Sequence, residues 1–354
     1  AAEVIRQEIA KKPTVKLWCL LGDAEQETSH YETAWKLSNQ KSSRAQRHWG
    51  MYYFAKQNYD EAVKHLEISA SLNNIQENVW IRLGFAALQI ENWKLAAKAY
   101  RHYCALEQTN FEAWNNLAKA YIKLGDKKRA WLSLQDAVKC NYEKWEVWDN
   151  LMVVSIDLGY FHEAVKCYHR ILDLKGKHID IEILSILCHI IEDNIQIHDG
   201  CRDTLLHKGL ELFGRITSMV QNNSEIWKLY ALLTLQHKNK DEKVEYSKAT
   251  QYLARAYRSA VANPRWFKDV GATKRVMELC NILADTNMTY ADICEETRKS
   301  TLGSAKLTLQ SVITKVKGEV EVRQMDNSIN TGLDSLEEKL EVVIVKLEDL
   351  KEST

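Results

Sequence analysis

Only two of the 354 residues are proline and 13 are glycine, too few breakers for a loop-rich, disordered or β-rich chain. The sequence therefore reads as helical from end to end. Net charge is missing too. Lys plus Arg and Asp plus Glu both total 48, so no global field draws nucleic acid or an anionic membrane surface. No run of about 18 apolar residues occurs, and no membrane-spanning helix is expected. The eight cysteines (19, 104, 140, 167, 188, 201, 280 and 294) form no C-x-x-C pair, and a chain of this size does not need disulfides to fold, which points to the cytosol or nucleus. Phosphate-binding, dinucleotide-binding, nucleophile-elbow and H-E-x-x-H motifs are all absent. Carboxylates are plentiful, but none is set apart as an acid/base pair. The expectation is a protein that is not an enzyme and has no cofactor. The opening "AAEVIRQEIAKKP" has neither an initiator Met nor a signal-peptide core. Its Val4, Ile5 and Ile9 followed by Pro13 read as the second helix of a repeat whose first helix lies upstream.

What is present is a period. Trp80, Trp114 and Trp148 are 34 residues apart, and so are Ala62, Ala96, Ala130 and Ala164. Trp49, Leu83, Leu117 and Leu151 keep the same step. Such spacing describes a helical hairpin that cannot bury its apolar face alone and so stacks on its copies. The 45% hydrophobic content is ample for that core.

The expected organisation follows from where the period holds. Residues 1–14 end a truncated preceding repeat. A regular array covers 15–178, with units starting near 15, 43, 77, 111 and 145. Divergent hairpins with insertions cover 179–264, one insertion being "IQIHDGCRD" at 195–203. A helical cap covers 265–317, a polar linker 318–332 and an amphipathic helix 333–354. In that last helix Leu333, Leu336, Leu340, Val343, Leu347 and Leu350 form a seam, either a cap on this chain or a pairing surface between chains.

Trp, Leu, Gly, Tyr, Ala and Ala in that order at a 34-residue step make units 43–178 similar to the tetratricopeptide repeat (TPR) family. The resemblance implies an all-α, right-handed TPR α-solenoid with C-terminal non-repeat capping helices. There are departures: Met152 stands where a small residue is expected, Gln57 and Glu91 where the turn glycine is expected, and Asn74, Gln108, Tyr142 and Gly176 where the terminal proline is expected. The stretch "AWKLSNQKSSRAQR" leading into "HWGMYYFAKQNYDEAV" is further similar to one branch of that family. That likeness implies a non-enzymatic intracellular adaptor linked to chaperone-assisted assembly of the U5 spliceosomal particle around its large GTPase.

First helices of such repeats line a concave surface, with their second, fifth, ninth and twelfth positions facing the groove. These positions hold Arg44, Arg47, Met51 and Phe54, then Asn78, Ile81, Phe85 and Leu88. Glu112, Asn115, Lys119 and Ile122 follow, then Glu146, Asp149, Val153 and Ile156. The groove is basic at its start and acidic toward its end, with apolar residues along one wall. It suits a protein partner or peptide segment with apolar anchors and charges of opposite order. Packing between neighbouring helices is the competing role for Phe54, Leu88, Ile122 and Ile156.

A clamp for the C-terminal carboxylate of Hsp70 or Hsp90 is not expected. Its five positions hold Ile81, Phe85, Asn116, Glu146 and Asn150, or one unit earlier Arg47, Met51, Arg82, Glu112 and Asn116, and an acid replaces a required base in both sets. Zinc is not expected from Cys188, His189, His198, Cys201 and His207, because adjacent Cys188 and His189 point about 100° apart on a helix. A candidate basic patch comprises Arg255, Arg258, Arg265, Lys268, Lys274 and Arg275, interleaved with Tyr252, Tyr257, Trp266 and Phe267. That composition can hold single-stranded RNA, but the aromatics fall where capping helices need them. Nucleic acid is therefore the secondary reading.

Overall fold

The computed structural model describes residues 1–237, 242–323 and 327–352. It contains helices and no strand among those residues, and its fold is the all-α solenoid of stacked hairpins that the period implies. The chain divides into two compact units, Ala1–Leu158 and Gly159–Thr354. That break falls inside the regular array expected over 15–178, between the two helices of its last repeat.

The first unit holds α1 (Ala2–Lys11), α2 (Val15–Glu25), α3 (Thr28–Leu37), α4 (Ser43–Ala55) and α5 (Tyr59–Leu72). After them come α6 (Glu77–Gln89), α7 (Trp93–Leu106), α8 (Phe111–Lys123), α9 (Lys127–Cys140) and α10 (Trp145–Asp157). Three local devices recur at the repeat step. Asn58, Asn92 and Asp126 cap α5, α7 and α9, each side chain accepting the backbone N–H three residues on, at Glu61, Leu95 and Arg129. The residue just before each cap is left-handed, with φ of 59° at Gln57, 56° at Glu91 and 78° at Gly125. The third device is a tether. The indole N–H of Trp80, Trp114 and Trp148 donates to the carbonyl six residues earlier, at Asn74, Gln108 and Tyr142, over 2.8, 3.0 and 3.0 Å. The residues standing in for the terminal proline therefore receive the repeat tryptophan.

Close approach of paired helices explains the small residues. A Cβ on Gly84 of α6 would sit 2.8 Å from the Tyr100 ring of α7. Tyr100 is buried and accepts a bond from Asn116 Nδ2 at 3.2 Å, so the ring cannot easily give way. Overpacking there costs about 1–3 kcal/mol.

The second unit holds α11 (Phe161–Lys175), α12 (Ile181–Glu192), α13 (Arg202–Met219), α14 (Ser224–Leu235) and α15 (Glu242–Ala260). The 195–203 insertion turns back to α11. Asp199 accepts the Glu163 backbone N–H at 2.9 Å, and the His198 N–H donates to Gly159 O at 3.0 Å. This supplies the cap that Tyr160, at the N-terminus of α11, does not. The tryptophan tether reappears in α14, where Trp227 donates to Gln221 O at 2.8 Å. After α14, residues 238–241 lie outside the described residues.

A one-turn 3-10 segment, Trp266–Lys268, leads to α16 (Val270–Ile293), α17 (Arg298–Arg323) and α18 (Asn327–Glu352). The polar linker expected at 318–332 is corrected: α17 runs through 318–323 and α18 already occupies 327–332, while 324–326 lie outside the described residues. Polarity alone does not stop a helix. The stretch holds no proline, and Gly318 and Gly332 cost only about 1 kcal/mol each. The seam of α18 is turned inward. Ile329, Leu333, Leu336 and Val343 are buried in one cluster with Met277 and Cys280 of α16 and Leu309 and Val316 of α17. Lys339 and Lys346 pair with Asp285 and Asp292 of α16. The helix is a cap on its own chain.

Candidate functional site: the groove face of the first unit

Side chains at the expected groove positions come from α4, α6, α8 and α10, all within the first unit. Arg44, Asn78, Phe85, Glu112, Lys119, Ile122, Glu146 and Val153 are exposed. Phe85, Ile122 and Val153 keep 39%, 42% and 48% of their surface, large values for apolar side chains in a stacked array. Arg47, Met51, Phe54, Ile81, Asn115, Asp149 and Ile156 are half-buried.

Leu88 is a correction. It is 8% exposed and belongs to the buried run Ala86–Ala87–Leu88 at the end of α6. There the last turn is enclosed by its neighbours, so Leu88 serves packing and not a groove wall. The three other apolar twelfth positions stay open or half-open.

The structure brings part of this set together and leaves part dispersed. Phe54 of α4, Tyr59 of α5 and Phe85 of α6 form a triangle, with ring centres 5.7 Å (Phe54–Tyr59), 5.7 Å (Phe54–Phe85) and 6.0 Å (Tyr59–Phe85) apart. With Met51, Gln57 and Arg82 they line an open cavity of about 720 Å³. The Arg82 guanidinium lies 5.4 Å over the Phe54 ring, an attraction of about 0.5–1 kcal/mol at an exposed site. Tyr59 and Arg82 were not among the expected groove residues. The signal for Arg82 lay one position from Ile81; Tyr59 opens the second helix, outside any rule built on first helices.

Farther along, Asn150 Nδ2 donates to Asn115 Oδ1 at 2.9 Å, linking α10 to α8. Arg47 donates to Gln76 Oε1 at 3.2 Å. The acid beside that end is Asp23, which accepts from Tyr31 at 2.9 Å and lies 2.7 Å from His48 Nδ1. Burial pushes its carboxyl up, but His48 and Tyr31 together outweigh that and hold it below the usual carboxylate range.

The other candidate chemistry is spread out. Cys188 is buried against Leu229 O, His189 turns back to Ser185 O at 2.7 Å, and Cys201 contacts Thr204. His198 and His207 are exposed. The one group of three ligand-type side chains gathered among the described residues is Glu25, Glu27 and His30 in the first unit, and there Glu25 also holds Arg6 at 2.8 Å.

Around the basic stretch the six cations Arg255, Arg258, Arg265, Lys268, Lys274 and Arg275 are exposed. Their aromatic neighbours are not available for stacking on bases. Trp266 is 2% exposed, and Tyr257 and Phe267 pack on the α16–α18 core. Tyr252 stacks on Tyr230 with centres 4.3 Å apart, and Arg255 itself lies over Trp227. No described helix is long and apolar enough to cross a membrane.

These observations describe a helical repeat protein, and comparison with known proteins agrees. The tetratricopeptide repeat model matches residues 99–131, and curated relatives of the chain are named as tetratricopeptide repeat proteins. It is 31% identical over 333 residues to the tetratricopeptide repeat-containing protein trd-1 of Caenorhabditis elegans, a match covering 89% of this chain and 43% of that protein. It is also 29% identical over 315 residues to the tetratricopeptide repeat protein 27 homolog of Dictyostelium discoideum, covering 88% of this chain and 35% of the relative. The chain thus spans less than half the length of these curated relatives. Among solved structures, Naa15/Naa10 bound to HypK-THB aligns over 98% of this chain and 59% of that one, at 12% identity and a TM-score of 0.46.

Proposed function

We propose that this chain is a non-enzymatic scaffold that holds a protein partner on the groove face of α4, α6, α8 and α10. The observation that carries this reading is the open aromatic cavity of Met51, Phe54, Tyr59 and Phe85, set among side chains that remain exposed at repeat-spaced positions. Apolar anchors in such pockets dominate the energetics of protein interfaces. The resemblance to the TPR branch adds a biological setting, an assembly or chaperone cofactor in the cytosol or nucleus, with assembly of the U5 spliceosomal GTPase as the specific case.

The test is capture from cell extract by the intact chain beside Arg47→Ala/Phe85→Ala/Lys119→Ala. All three side chains are exposed or half-buried, so helix content by circular dichroism should match the parent. A protein retained by the parent and lost by the variant is the expected result. Equal retention by both, with helix content intact, refutes the groove.

A further inference from the structure

We infer that Glu25, Glu27 and His30 form a binding site for a divalent transition-metal ion such as Zn2+ at the turn between α2 and α3. None of the three is a groove side chain, so the site stands or falls apart from the groove.

The local backbone brings the three together. Glu25 ends α2, Gln26 is left-handed with φ of 57°, Glu27 stands at the N-terminus of α3 and His30 lies in the first turn of that helix. The reversal at Gln26 lets both carboxylates reach one imidazole nitrogen. His30 Nε2 is 2.8 Å from Glu25 Oε2 and 3.7 Å from Glu27 Oε2. One ligand atom from each residue lies within 4.8 Å of the other two, the one such group among the described residues. Ligand atoms on a common zinc ion, each about 2.1 Å from it, stand roughly 3–3.5 Å apart. Small side-chain rotations therefore close this triangle on an ion.

The rest of each side chain fits the same role. Arg6 pairs with the far oxygen of Glu25, Oε1, at 2.8 Å and leaves Oε2 to face His30. A ligating carboxylate is ordinarily held by such an outer partner. Glu27 precedes α3 without capping it, and its carboxylate accepts a long bond from Ser29 Oγ at 3.4 Å, so it is not committed to the helix N–H groups. The Trp18 ring lies beside the His30 imidazole, with centres 5.8 Å apart. Glu25 and His30 side chains are each 16% exposed while that of Glu27 is 65% exposed. The ion would enter from the Glu27 side and keep water in its remaining positions. One imidazole with two carboxylates selects zinc-like ions over Mg2+ and Ca2+, which prefer oxygen alone. On binding, the ion takes the place of the proton between Nε2 and Glu25. A neutral ring moves that proton to Nδ1, and a charged ring gives it to solvent.

The experiment is calorimetric titration of the intact chain with Zn2+ and, separately, Mg2+, beside Glu25→Gln, Glu27→Gln and His30→Ala. One Zn2+ site is expected, weakened at least tenfold by Glu25→Gln and by His30→Ala and measurably by Glu27→Gln, with no Mg2+ binding at the same concentrations. Glu27→Gln removes no cap, so it remains informative if circular dichroism shows His30→Ala to be misfolded. Ring signals of labelled histidine should place the ion independently, with those of His30 broadening first as Co2+ is added below one equivalent. Absence of Zn2+ binding overturns the proposal. So does Zn2+ binding unchanged in Glu25→Gln and Glu27→Gln, first broadening at another of the 11 histidines, or Mg2+ binding as tight as that of Zn2+.

Discussion

At the scale of single residues, the array tolerates departures from its own pattern where backbone geometry does not punish them heavily. Gln57 and Glu91 hold left-handed φ values of 59° and 56° in the turn where the next repeat has Gly125. A side chain there costs about 1–2 kcal/mol. Glu91→Gly is therefore expected to stabilise the first unit by about 1 kcal/mol, read as a higher urea midpoint with an unchanged slope, whereas Gly125→Ala should do the reverse. His65 gives a second prediction. It stacks on Trp49 with centres 4.1 Å apart and donates to Gln46 Oε1 at 2.7 Å, and burial pushes its imidazole below the ordinary value of 6.5. The neutral ring belongs to the folded state, so below pH 6.5 the unfolded chain binds the extra proton and stability falls. The urea midpoint should drop between pH 7.5 and pH 5.5, and less so in His65→Gln. None of this could be read from composition. The 34-residue period names which position is the turn, but only the backbone shows that a glutamine occupies it at positive φ.

At the scale of elements, the regular hairpins from α4 onward were legible because period, cap and tryptophan agree. The C-terminal helices were harder. Heptad spacing located α18, yet the same seam fits an intermolecular pair, and only the inward burial of Leu336 and Val343 decides that it caps its own chain. The start of α18 was misread as linker because charged and amide side chains are common on an exposed helical face. The groove showed the same limit. Residues facing one way on a first helix could be assigned from its period, but Tyr59 reaches the cavity from a second helix and Leu88 is claimed by packing. Leu336→Asp should release α18. Deuterium uptake across 329–350 is expected to rise toward that of an unprotected helix while α4–α9 stay protected. Lys346→Ala removes a partly exposed ion pair with Asp292, worth about 0–1 kcal/mol, and should leave uptake nearly unchanged. Equal uptake in both variants would contradict the docking.

For the whole molecule, the balance of 48 cationic and 48 anionic residues means that charge acts through local patches. Partner retention through the apolar cavity is expected to weaken only a few-fold between 50 and 200 mM salt. Phosphate neutralisation by six cations would instead cost about a thousandfold over the same range. Measuring retention across that range with the intact chain distinguishes the two. A steep loss would move binding from the groove to the exposed cations of 255–275. The aromatic cores beneath those cations argue for the shallow slope.

The tryptophan tether has one more consequence. Each indole of Trp80, Trp114 and Trp148 reaches back only six residues, and each cap at Asn58, Asn92 and Asp126 reaches forward three, so these fastenings stay within about 34 residues. Excision in phase should then be nearly silent. Deleting 93–126 would join Asn92 to Lys127, leaving a cap before α9 and setting Gly84 opposite Leu134 in place of Tyr100. Length in such a chain can change by whole repeats through a single genetic event, which makes the number of repeats as available to natural selection as any side chain in the groove.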